Sequence, residues 1–404
     1  MEAVAHLVPK SALVFLDSDV LTAAFEDARS DFCGMVITAA AVLALIKDCH
    51  SVFLAGNAET TLPLVLAHVP RDNVLIVVEL CTNIPPDWTA FATLGQLPKI
   101  ICNIGVYYPR FFATERDFFG EFNAHHVACT LTESNKVSSV SYRKGVYITR
   151  VLPTEDSAET RFHLLRCSTN FSSPTENCRP VDDDIIVAVN TLARANYDNG
   201  AELNHVLAQV YTNSVVGGKD KKARIPDHSD KTKDMPRNAL MAFVTFYHFD
   251  PEIKYTRTTD DVLYRDTSVL TSLVWKEKGG DGRRVIVPLQ HGSVLFVNME
   301  TNRLWTHEIR PSILPVDKIP TRLGYVVRCS KTVAIHTAEE KTCIESTDGA
   351  LVEMRAPTRK DMAELKAQYV RENATTEIMT YTSATHGDIV PYSMNAGDYL
   401  RPVV

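Results

Sequence analysis

The sequence lacks several features that would assign it to a class of protein at once. Its nine cysteines are an odd number and include no C-x-x-C pair, which argues against a disulfide framework and against a zinc knuckle. No apolar stretch reaches the roughly 18 residues that a membrane-spanning helix needs, and the N-terminus shows no basic segment followed by an apolar one. We therefore expect no membrane partner and a location in the reducing cytoplasm or nucleus.

A surplus of positive charge is also missing. Lys and Arg number 42 against 49 Asp and Glu, a formal net charge of -7, so the chain as a whole is not a cationic body that coats nucleic acid. What is present is an ordinary globular composition, 45% hydrophobic and 23% charged. The 404 residues exceed the length at which single cores stop growing, which predicts more than one domain.

The first part of the chain, residues 1–175, alternates short apolar runs with helical patterns. The runs at 12–17, 51–56 and 73–80 have the length and composition of buried strands. Strands that alternate with helices are typical of a layered α/β structure. We therefore predict an N-terminal α/β domain, to which the sequence assigns no role.

Two carboxylates, Asp17 and Asp19, follow the first of these apolar runs. This arrangement resembles the opening of PIN-type nucleases and of haloacid-dehalogenase-like phosphatases. Such hydrolases need further acids at the ends of later strands to hold magnesium, and the run at 73–80 offers only Glu79. The simpler interpretation is that the two aspartates cap the helix that follows.

The second part of the chain, residues 180–337, changes its hydrophobic period. A run that begins at Asp182 predicts a helix, because acidic residues favour a helix N-terminus. A C-terminal segment, 338–404, contains a predicted amphipathic helix at 356–373 and a polar tail. Between the two helices, runs rich in β-branched and aromatic residues predict the strands of a sandwich or barrel, at 204–212, 239–247, 268–275, 284–289, 293–298, 302–309 and 323–330.

A metal-binding pattern stands before the predicted strand at 239–247. His228 and Asp230 are two residues apart, and in an extended segment such residues point to the same side. Alone the pair is weak evidence, since a solvated histidine beside an acid looks the same. A third candidate ligand, His307, lies in the predicted strand at 302–309. Two histidines and one carboxylate form the facial triad of non-heme Fe(II) oxygenases.

Two arginines follow the third candidate ligand. Arg322 and Arg328 have even spacing on one predicted strand, so their side chains face the same side. Buried guanidinium groups need partners, and a dicarboxylic acid is a natural one because the planar fork holds carboxylate oxygens in pairs.

Together these motifs resemble the AlkB-like branch of the 2-oxoglutarate- and Fe(II)-dependent dioxygenases. The likeness rests on HSD at 228–230, QHGSVLFVNMETNRLWTHEIRPS at 290–312 and RLGYVVR at 322–328. It implies a double-stranded β-helix (jelly-roll) oxygenase domain at 180–337, so the expected fold class is α+β, with an N-terminal α/β domain before this barrel. It also implies an oxidoreductase that uses 2-oxoglutarate and dioxygen as co-substrates.

The resemblance also implies roles for individual residues. His228, Asp230 and His307 would be the catalytic ligands of iron, Fe(2+). Arg322 would hold the distal carboxylate of 2-oxoglutarate, and Arg328 would lie near the carboxylate that chelates the metal.

Four further positions bear on how the co-substrate is held. Tyr211 and Gln209 match positions at which the family contacts 2-oxoglutarate, although Gln209 replaces the usual asparagine and a packed strand would hold the same two residues. Gly324 and Val326 replace the asparagine and threonine of the family's R-x-N-x-T-x-R pattern. These replacements remove polar groups that would support the metal site.

A basic region close to the triad in the sequence bears on the class of substrate. The run 219–224 is rich in lysine, and Lys231, Lys233 and Arg237 extend it. Such a region could contact phosphates, which favours hydroxylation or oxidative demethylation of an alkylated or methylated nucleobase in DNA or RNA, although a solvated loop has the same composition. The alternatives are hydroxylation of a protein side chain or small metabolite, and a non-catalytic barrel that serves as a binding scaffold.

Overall fold

The computed structural model describes residues 7–16, 23–112, 115–131, 142–154, 158–167, 172–198, 201–249, 270–346, 348–383 and 389–404. Within these ranges the chain is a mixed α/β structure with one parallel sheet and several antiparallel ones. None of the helices described there has the length and apolar character needed to cross a bilayer. Asp17 and Asp19 lie outside the described residues.

The first sheet, which we call the parallel sheet, is buried on both faces. Ala12 and Val14 enter one apolar cluster, whereas Leu13 and Phe15 enter another on the opposite face. This two-sided burial explains why the sequence run is continuously apolar and does not alternate. In spatial order its strands are Met35–Ile37, Ser11–Phe15, Ser51–Asn57, Val74–Thr82 and Phe91–Ala92.

The largest sheet, the major sheet, has nine strands in the described part of the chain. It includes strands from both sides of residue 175, where the sequence analysis ends the N-terminal domain. All its pairings except the first are antiparallel. The spatial order is Glu176–Asn177, Arg143–Thr149, His205–Tyr211, Thr321–Arg328, Leu240–His248, Ser293–Asn298, Gly105–Tyr108 and Lys99–Ile101, and Cys129–Thr130 also pairs with Arg143–Thr149.

A four-stranded antiparallel sheet, the minor sheet, packs against the major one. Side chains of both sheets belong to one large apolar cluster, and the rings of Phe243 and Trp275 meet edge to face across it with centroids 6.1 Å apart. The minor sheet therefore closes a shared interior rather than forming a separate unit. Its strands, in spatial order, are Ile225–His228, Trp305–Arg310, Ser272–Glu277 and Arg284–Pro288.

Two smaller sheets complete the strands. The hairpin of Ser214–Val216 and Lys219–Lys221 stands apart from the other sheets. A five-stranded outer sheet joins residues from both sides of position 337. Its strands, in spatial order, are Leu152–Pro153, Thr160–Leu164, Thr332–His336, Thr342–Glu345 and Leu351–Glu353.

The helices lie between and beyond these sheets. The helix expected from Asp182 begins earlier, because Pro180 occupies its first turn, where a missing N–H costs nothing. The α-helices are Ala23–Ser30, Ala58–Leu66, Phe118–His125, Pro180–Asn196, Met299–Leu304 and Arg359–Ala374. Shorter 3₁₀ segments are Ala40–Asp48, Arg71–Asn73, Leu94–Gln96, Val316–Lys318 and Ala396–Tyr399.

One predicted strand begins later than expected. The sequence favours a strand over 302–309, but residues up to Leu304 form the helix Met299–Leu304. The side chain of Asn298 accepts a hydrogen bond from the backbone N–H of Thr301 at 2.8 Å and so caps this helix. The strand itself is Trp305–Arg310.

A buried ionic cluster joins the helix Pro180–Asn196 to the major sheet. The imidazole of His126 lies 2.6 Å from Glu176 through Nδ1 and 2.8 Å from Asp182 through Nε2. The hydroxyl of Tyr325 donates to the other carboxylate oxygen of Asp182 at 2.8 Å. Burial lowers the pKa of His126, but the two carboxylates outweigh it and raise this pKa to about 9. We call these four residues the His126 cluster.

Candidate metal centre

The structure brings the three residues of the predicted triad together. His228 ends the strand Ile225–His228 and stands directly opposite His307 on the neighbouring strand. Asp230 follows two residues later, on the same side. One ligand atom from each residue lies within 4.8 Å of the others, and Nε2 of His228 is 3.6 Å from Oδ1 of Asp230.

Asp230 is held as a buried carboxylate by an arginine. Nε and Nη2 of Arg328 lie 3.0 and 2.9 Å from its Oδ2. Burial alone would raise the pKa of Asp230, but Arg328 and the two histidines of the triad together outweigh burial and hold this pKa below its ordinary value. The carboxylate is therefore ionised at neutral pH, and its Oδ1 remains available to a cation.

The backbone of Asp230 is fixed as well. Its N–H donates to the side-chain oxygen of Asn302 at 2.8 Å, and the amide nitrogen of Asn302 donates back to its carbonyl at 2.9 Å. This reciprocal pair of hydrogen bonds fixes the backbone of the triad aspartate. We call it the Asn302 clamp.

Hydrogen bonding orients the first histidine. Nδ1 of His228 lies 2.9 Å from the carbonyl oxygen of Pro226. A carbonyl only accepts, so Nδ1 carries a proton, and Nε2 is the ring nitrogen that faces Asp230. Second partners of this type are the usual way in which proteins orient metal-binding histidines.

The second histidine is deeply buried. The ring of His307 packs against both Trp275 and Phe243, with centroid distances of 4.8 and 5.5 Å. Burial, with a smaller contribution from His228, lowers the pKa of His307 to about 3, so the ring is neutral at pH 7. Its Nδ1 is buried without a hydrogen-bond partner among the described residues. Two imidazoles and one ionised carboxylate are a donor set that fits Fe(II).

The triad lines a cavity of about 310 Å³ between the major and minor sheets. Gln209, Tyr211, Phe243 and Arg322 also line this cavity. We call it the triad cavity. Its lining combines apolar surface with a few charged groups, as small-molecule sites do.

Arg322 is the unusual member of this lining. Its side chain is 4% exposed, and neither Nε nor Nη2 has a hydrogen-bond partner among the described residues. The guanidinium carbon lies 3.7 Å from the ring centroid of Tyr211, so the cation stacks on an aromatic face. A buried guanidinium without an acceptor is costly, which favours an anionic ligand beside it.

Gly324 explains one departure from the family pattern. A Cβ atom at this position would lie 3.0 Å from Nη1 of Arg322 and 3.5 Å from the ring of Tyr211. The absence of a side chain therefore leaves room for the stacked pair. An asparagine, expected here from the pattern, would enter the space that this pair occupies.

Tyr211 and Gln209 face the same cavity from the strand His205–Tyr211. The hydroxyl of Tyr211 donates to the side-chain oxygen of Gln209 at 2.9 Å. Gln209 thus orients the tyrosine on which Arg322 stacks.

The two arginines occupy different positions from each other. Among the described residues Arg322 has no anionic partner, whereas Arg328 binds the carboxylate of Asp230. The sequence predicts Arg328 near the chelating carboxylate of a co-substrate. In the structure, its observed partner is the triad residue itself.

The prediction of a basic region is wrong in part. Lys231 and Lys233 are 5% and 8% exposed, so neither extends a positive surface. Nζ of Lys231 donates to the carbonyl of Ser229 at 2.9 Å and to the side-chain oxygen of Asn373 at 2.6 Å. The exposed basic side chains of the expected region are Lys219, Lys221, Arg224 and Arg237.

Asn302 is a site residue that sequence reasoning missed. It was assigned to a strand, although it lies in the helix Met299–Leu304 and holds Asp230. A signal for that helix was present, because Asn298 stands three residues before Thr301, as a capping residue does.

Comparison with known proteins adds little to this geometry. No protein-family model matches the chain, and no curated protein matches it. Among solved structures it is similar to a prolyl-4-hydroxylase from Pseudomonas putida, at 13% sequence identity and a TM-score of 0.32, over 56% of this chain and 91% of that chain. A likeness this weak supports no conclusion about activity.

Proposed function

We propose that this protein is an Fe(II)- and 2-oxoglutarate-dependent dioxygenase that oxidises a C–H bond of its substrate. The observation that carries the proposal is the triad cavity, where two histidines and an ionised aspartate stand beside a buried arginine whose Nε and Nη2 have no partner among the described residues. A metal site alone accounts for the triad. Arg322 additionally calls for an anion, and 2-oxoglutarate supplies both a metal chelate and a free carboxylate.

In this proposal His228, Asp230 and His307 hold the iron. Bound ferrous iron supplies the activation of dioxygen that oxidises 2-oxoglutarate to succinate and carbon dioxide and oxidises the substrate. Arg328 orients Asp230 and helps to keep it ionised, and the carbonyl of Pro226 keeps Nε2 of His228 directed to the cluster.

Arg322 holds the distal carboxylate of 2-oxoglutarate through its free N–H groups. Planar guanidinium groups bind carboxylates with two parallel hydrogen bonds. Stacking on Tyr211 holds the guanidinium plane in place, and Gln209 fixes that tyrosine. The side chain is therefore preorganised before the co-substrate arrives.

We further propose that the major and minor sheets form the double-stranded β-helix of this superfamily, in its AlkB-like branch. Two antiparallel sheets that share one apolar cluster, with the triad between them, support this arrangement. The motif order from His228 to Arg328 supports the branch.

For the substrate, the burial of Lys231 and Lys233 removes part of the argument for a nucleobase. The exposed lysines of the hairpin at 214–221 precede, in the chain, Ile225 and Asp227, which line the triad cavity. We propose hydroxylation or oxidative demethylation as the reaction. A nucleobase in DNA or RNA, a protein side chain and a small metabolite are the three substrate pools to compare.

The test is formation of succinate from 2-oxoglutarate in the presence of Fe(II) and ascorbate, with the three substrate pools examined by mass spectrometry for gained oxygen or lost methyl groups. His228→Ala and Asp230→Ala should abolish succinate. The exposed pair His50 and Asp48 provides matched controls, and His50→Ala and Asp48→Ala should retain it.

The alternative of a binding scaffold gives a different outcome. A scaffold would bind the metal and 2-oxoglutarate, or neither, without forming succinate in any pool. Equal succinate formation by the wild-type protein and Asp230→Ala would also contradict the proposal.

A further inference from the structure

A second cavity lies behind the triad and is larger than the triad cavity, at about 690 Å³. It is bordered by the segment 232–237, directly after the triad aspartate, and by residues near the C-terminal helix. We call it the Lys233 cavity. Its volume is within the range of small-molecule sites, and no step of the proposed oxygenase reaction uses it.

Lys233 is the feature that distinguishes this cavity. Its side chain lines the cavity and is 8% exposed, and Nζ has no hydrogen-bond partner among the described residues. Burial, with a smaller contribution from Arg166, lowers the pKa of Lys233 to about 7. An amine buried in this way destabilises the folded chain unless a ligand completes its contacts.

The nearest carboxylates are already used by other groups. Asp234 binds Arg166, with Oδ1 2.5 Å from Nη2 and Oδ2 3.1 Å from Nε. Asp398 accepts hydrogen bonds from Ser393 at 2.5 Å and from Asn395 at 2.8 Å. Neither accepts one from Lys233.

The same holds for the other acids that line the cavity. Glu300 pairs with Arg303, Glu345 with Arg161 and Glu377 with Arg371, while Glu372 accepts from Thr232 and Tyr381. The cations without a partner among the described residues are Lys233, Arg237 and Lys331. The first is buried, and the other two are exposed at the edge. The unpaired charge of the cavity is therefore positive.

The rest of the lining is aliphatic and rich in methionine. It includes Met235, Met299, Met379, Ile344, Ile378 and Val390. Methionine side chains adapt to flexible partners, and aromatic surface is limited to Tyr381 in this lining. This lining fits a flexible hydrocarbon chain better than a flat ring.

We propose that the Lys233 cavity binds an amphipathic anion, an aliphatic chain with one carboxylate or phosphate head. The head meets Lys233, with Arg237 and Lys331 at the edge, and the chain lies along the methionines and isoleucines. This site is distinct from the oxygenase site and goes beyond the proposed function.

The test uses three probes that share one tail, namely decanoate, decyl phosphate and decan-1-ol, titrated into the full chain by calorimetry. The two anions should bind and the alcohol should bind much more weakly. Lys233→Met should weaken anion binding by about 10- to 100-fold, the usual worth of a charge-assisted hydrogen bond, and leave the alcohol unchanged. A preference for decanoate over decyl phosphate, or the reverse, identifies the head group.

Matched variants separate binding from folding. Lys47→Met makes the same chemical change at an exposed site near the parallel sheet and should leave all three affinities unchanged. Lys233→Arg, which keeps the charge, should retain part of the preference for anions that Lys233→Met loses. Without ligand, Lys233→Met should melt at or above the wild-type temperature, because it removes an unpaired amine.

Three results would overturn the proposal. They are an anion affinity equal in wild type and Lys233→Met, an alcohol that binds as tightly as decanoate, and a large loss of stability in Lys233→Met. The last would assign Lys233 to the folded framework. None of these outcomes depends on iron or succinate, so the Lys233 cavity and the oxygenase proposal fail separately.

Discussion

The parallel sheet and the rest of the molecule differ in what they bury. Among the described residues from 7 to 98, the buried polar side chains are Ser11 and Thr61. The remainder of the described chain buries many ionisable groups, including His126, Arg143, Arg166, Asp182, Asp230, Lys231, Lys233, Asp234, His307, Arg322, Arg328, Glu372 and Asp398. The parallel sheet folds mainly around apolar contacts and buries no ionisable acid or base among its described residues, whereas the other sheets hold charges that need specific partners.

This difference indicates where ligands belong. A buried charge with an internal partner, such as Asp230 with Arg328, is accounted for by the fold. Arg322 and Lys233 have no such partner among the described residues. A buried charge without a partner lowers the stability of the folded protein. Each of these two residues lines a cavity.

The largest expected effect comes from breaking a buried ion pair. Arg166→Met leaves the carboxylate of Asp234 buried without its cation and should lower the free energy of unfolding by about 3–5 kcal/mol, measured by urea unfolding. The double variant Arg166→Met with Asp234→Leu should recover much of this loss, because no uncompensated charge remains. Arg71→Met, at an exposed arginine near the parallel sheet, should cost at most about 1 kcal/mol. Equal losses at Arg166 and Arg71 would remove the contrast between the two regions.

The next effect concerns a buried charge that lacks a partner. Arg322→Met should weaken 2-oxoglutarate binding by about 2–3 kcal/mol, or roughly 30- to 150-fold, because a charge-assisted pair is lost. Titration calorimetry measures it. The ligand-free variant should be no less stable than wild type. Arg224→Met, at an exposed arginine near the cavity, is the matched control and should change the affinity little. A strong loss of stability in Arg322→Met would show that this arginine already has its partners.

The His126 cluster should give an effect that depends on pH. The pKa of His126 in the folded protein, about 9, lies above the ordinary value of 6.5. The contribution of protonated His126 to the free energy of unfolding is therefore complete below pH 6.5 and is lost as the pH rises through 9. Thermal unfolding across this range should show a decline that His126→Gln removes and that His50→Gln, at an exposed histidine, retains. An unchanged decline in His126→Gln would assign the dependence to other groups.

The smallest effect should come from Gly324→Ala. The added Cβ atom would approach Nη1 of Arg322 to 3.0 Å, so the guanidinium must move by a fraction of an ångström. We expect a loss of a few-fold in 2-oxoglutarate affinity and a change in unfolding free energy below about 1 kcal/mol. Ala55→Gly, in the parallel sheet, removes a Cβ atom where Gly324→Ala adds one. It should change the free energy of unfolding and leave the 2-oxoglutarate affinity unchanged. Unchanged 2-oxoglutarate affinity in Gly324→Ala would show that Arg322 is not held as tightly as its stacking implies.

Local patterns in the sequence predicted much of this arrangement. Alternation of apolar residues indicated the strand that contains Tyr211, and the two-residue spacing of His228 and Asp230 placed them on one side. The pairing of His228 with His307 required strand order, which periodicity alone does not provide. It came from the order of the motifs along the chain.

Other features could not be predicted because their partners are distant in the sequence. Arg166 and Asp234 are 68 residues apart, and Asn302 and Asp230 are 72 apart. No spacing rule connects such pairs. The sequence favours an exposed position for Lys233, since lysine is rarely buried. Its burial is evident only from the residues that surround it in the structure.

The Asn302 clamp has a consequence for how the two cavities behave together. Asn302 lines the Lys233 cavity, and its amide holds the backbone of Asp230, which lines the triad cavity. A ligand that shifts this amide in one compartment changes the free energy of occupying the other. Thermodynamic reciprocity requires the effect to be equal in both directions, so the clamp gives the two compartments a direct structural route for cooperativity.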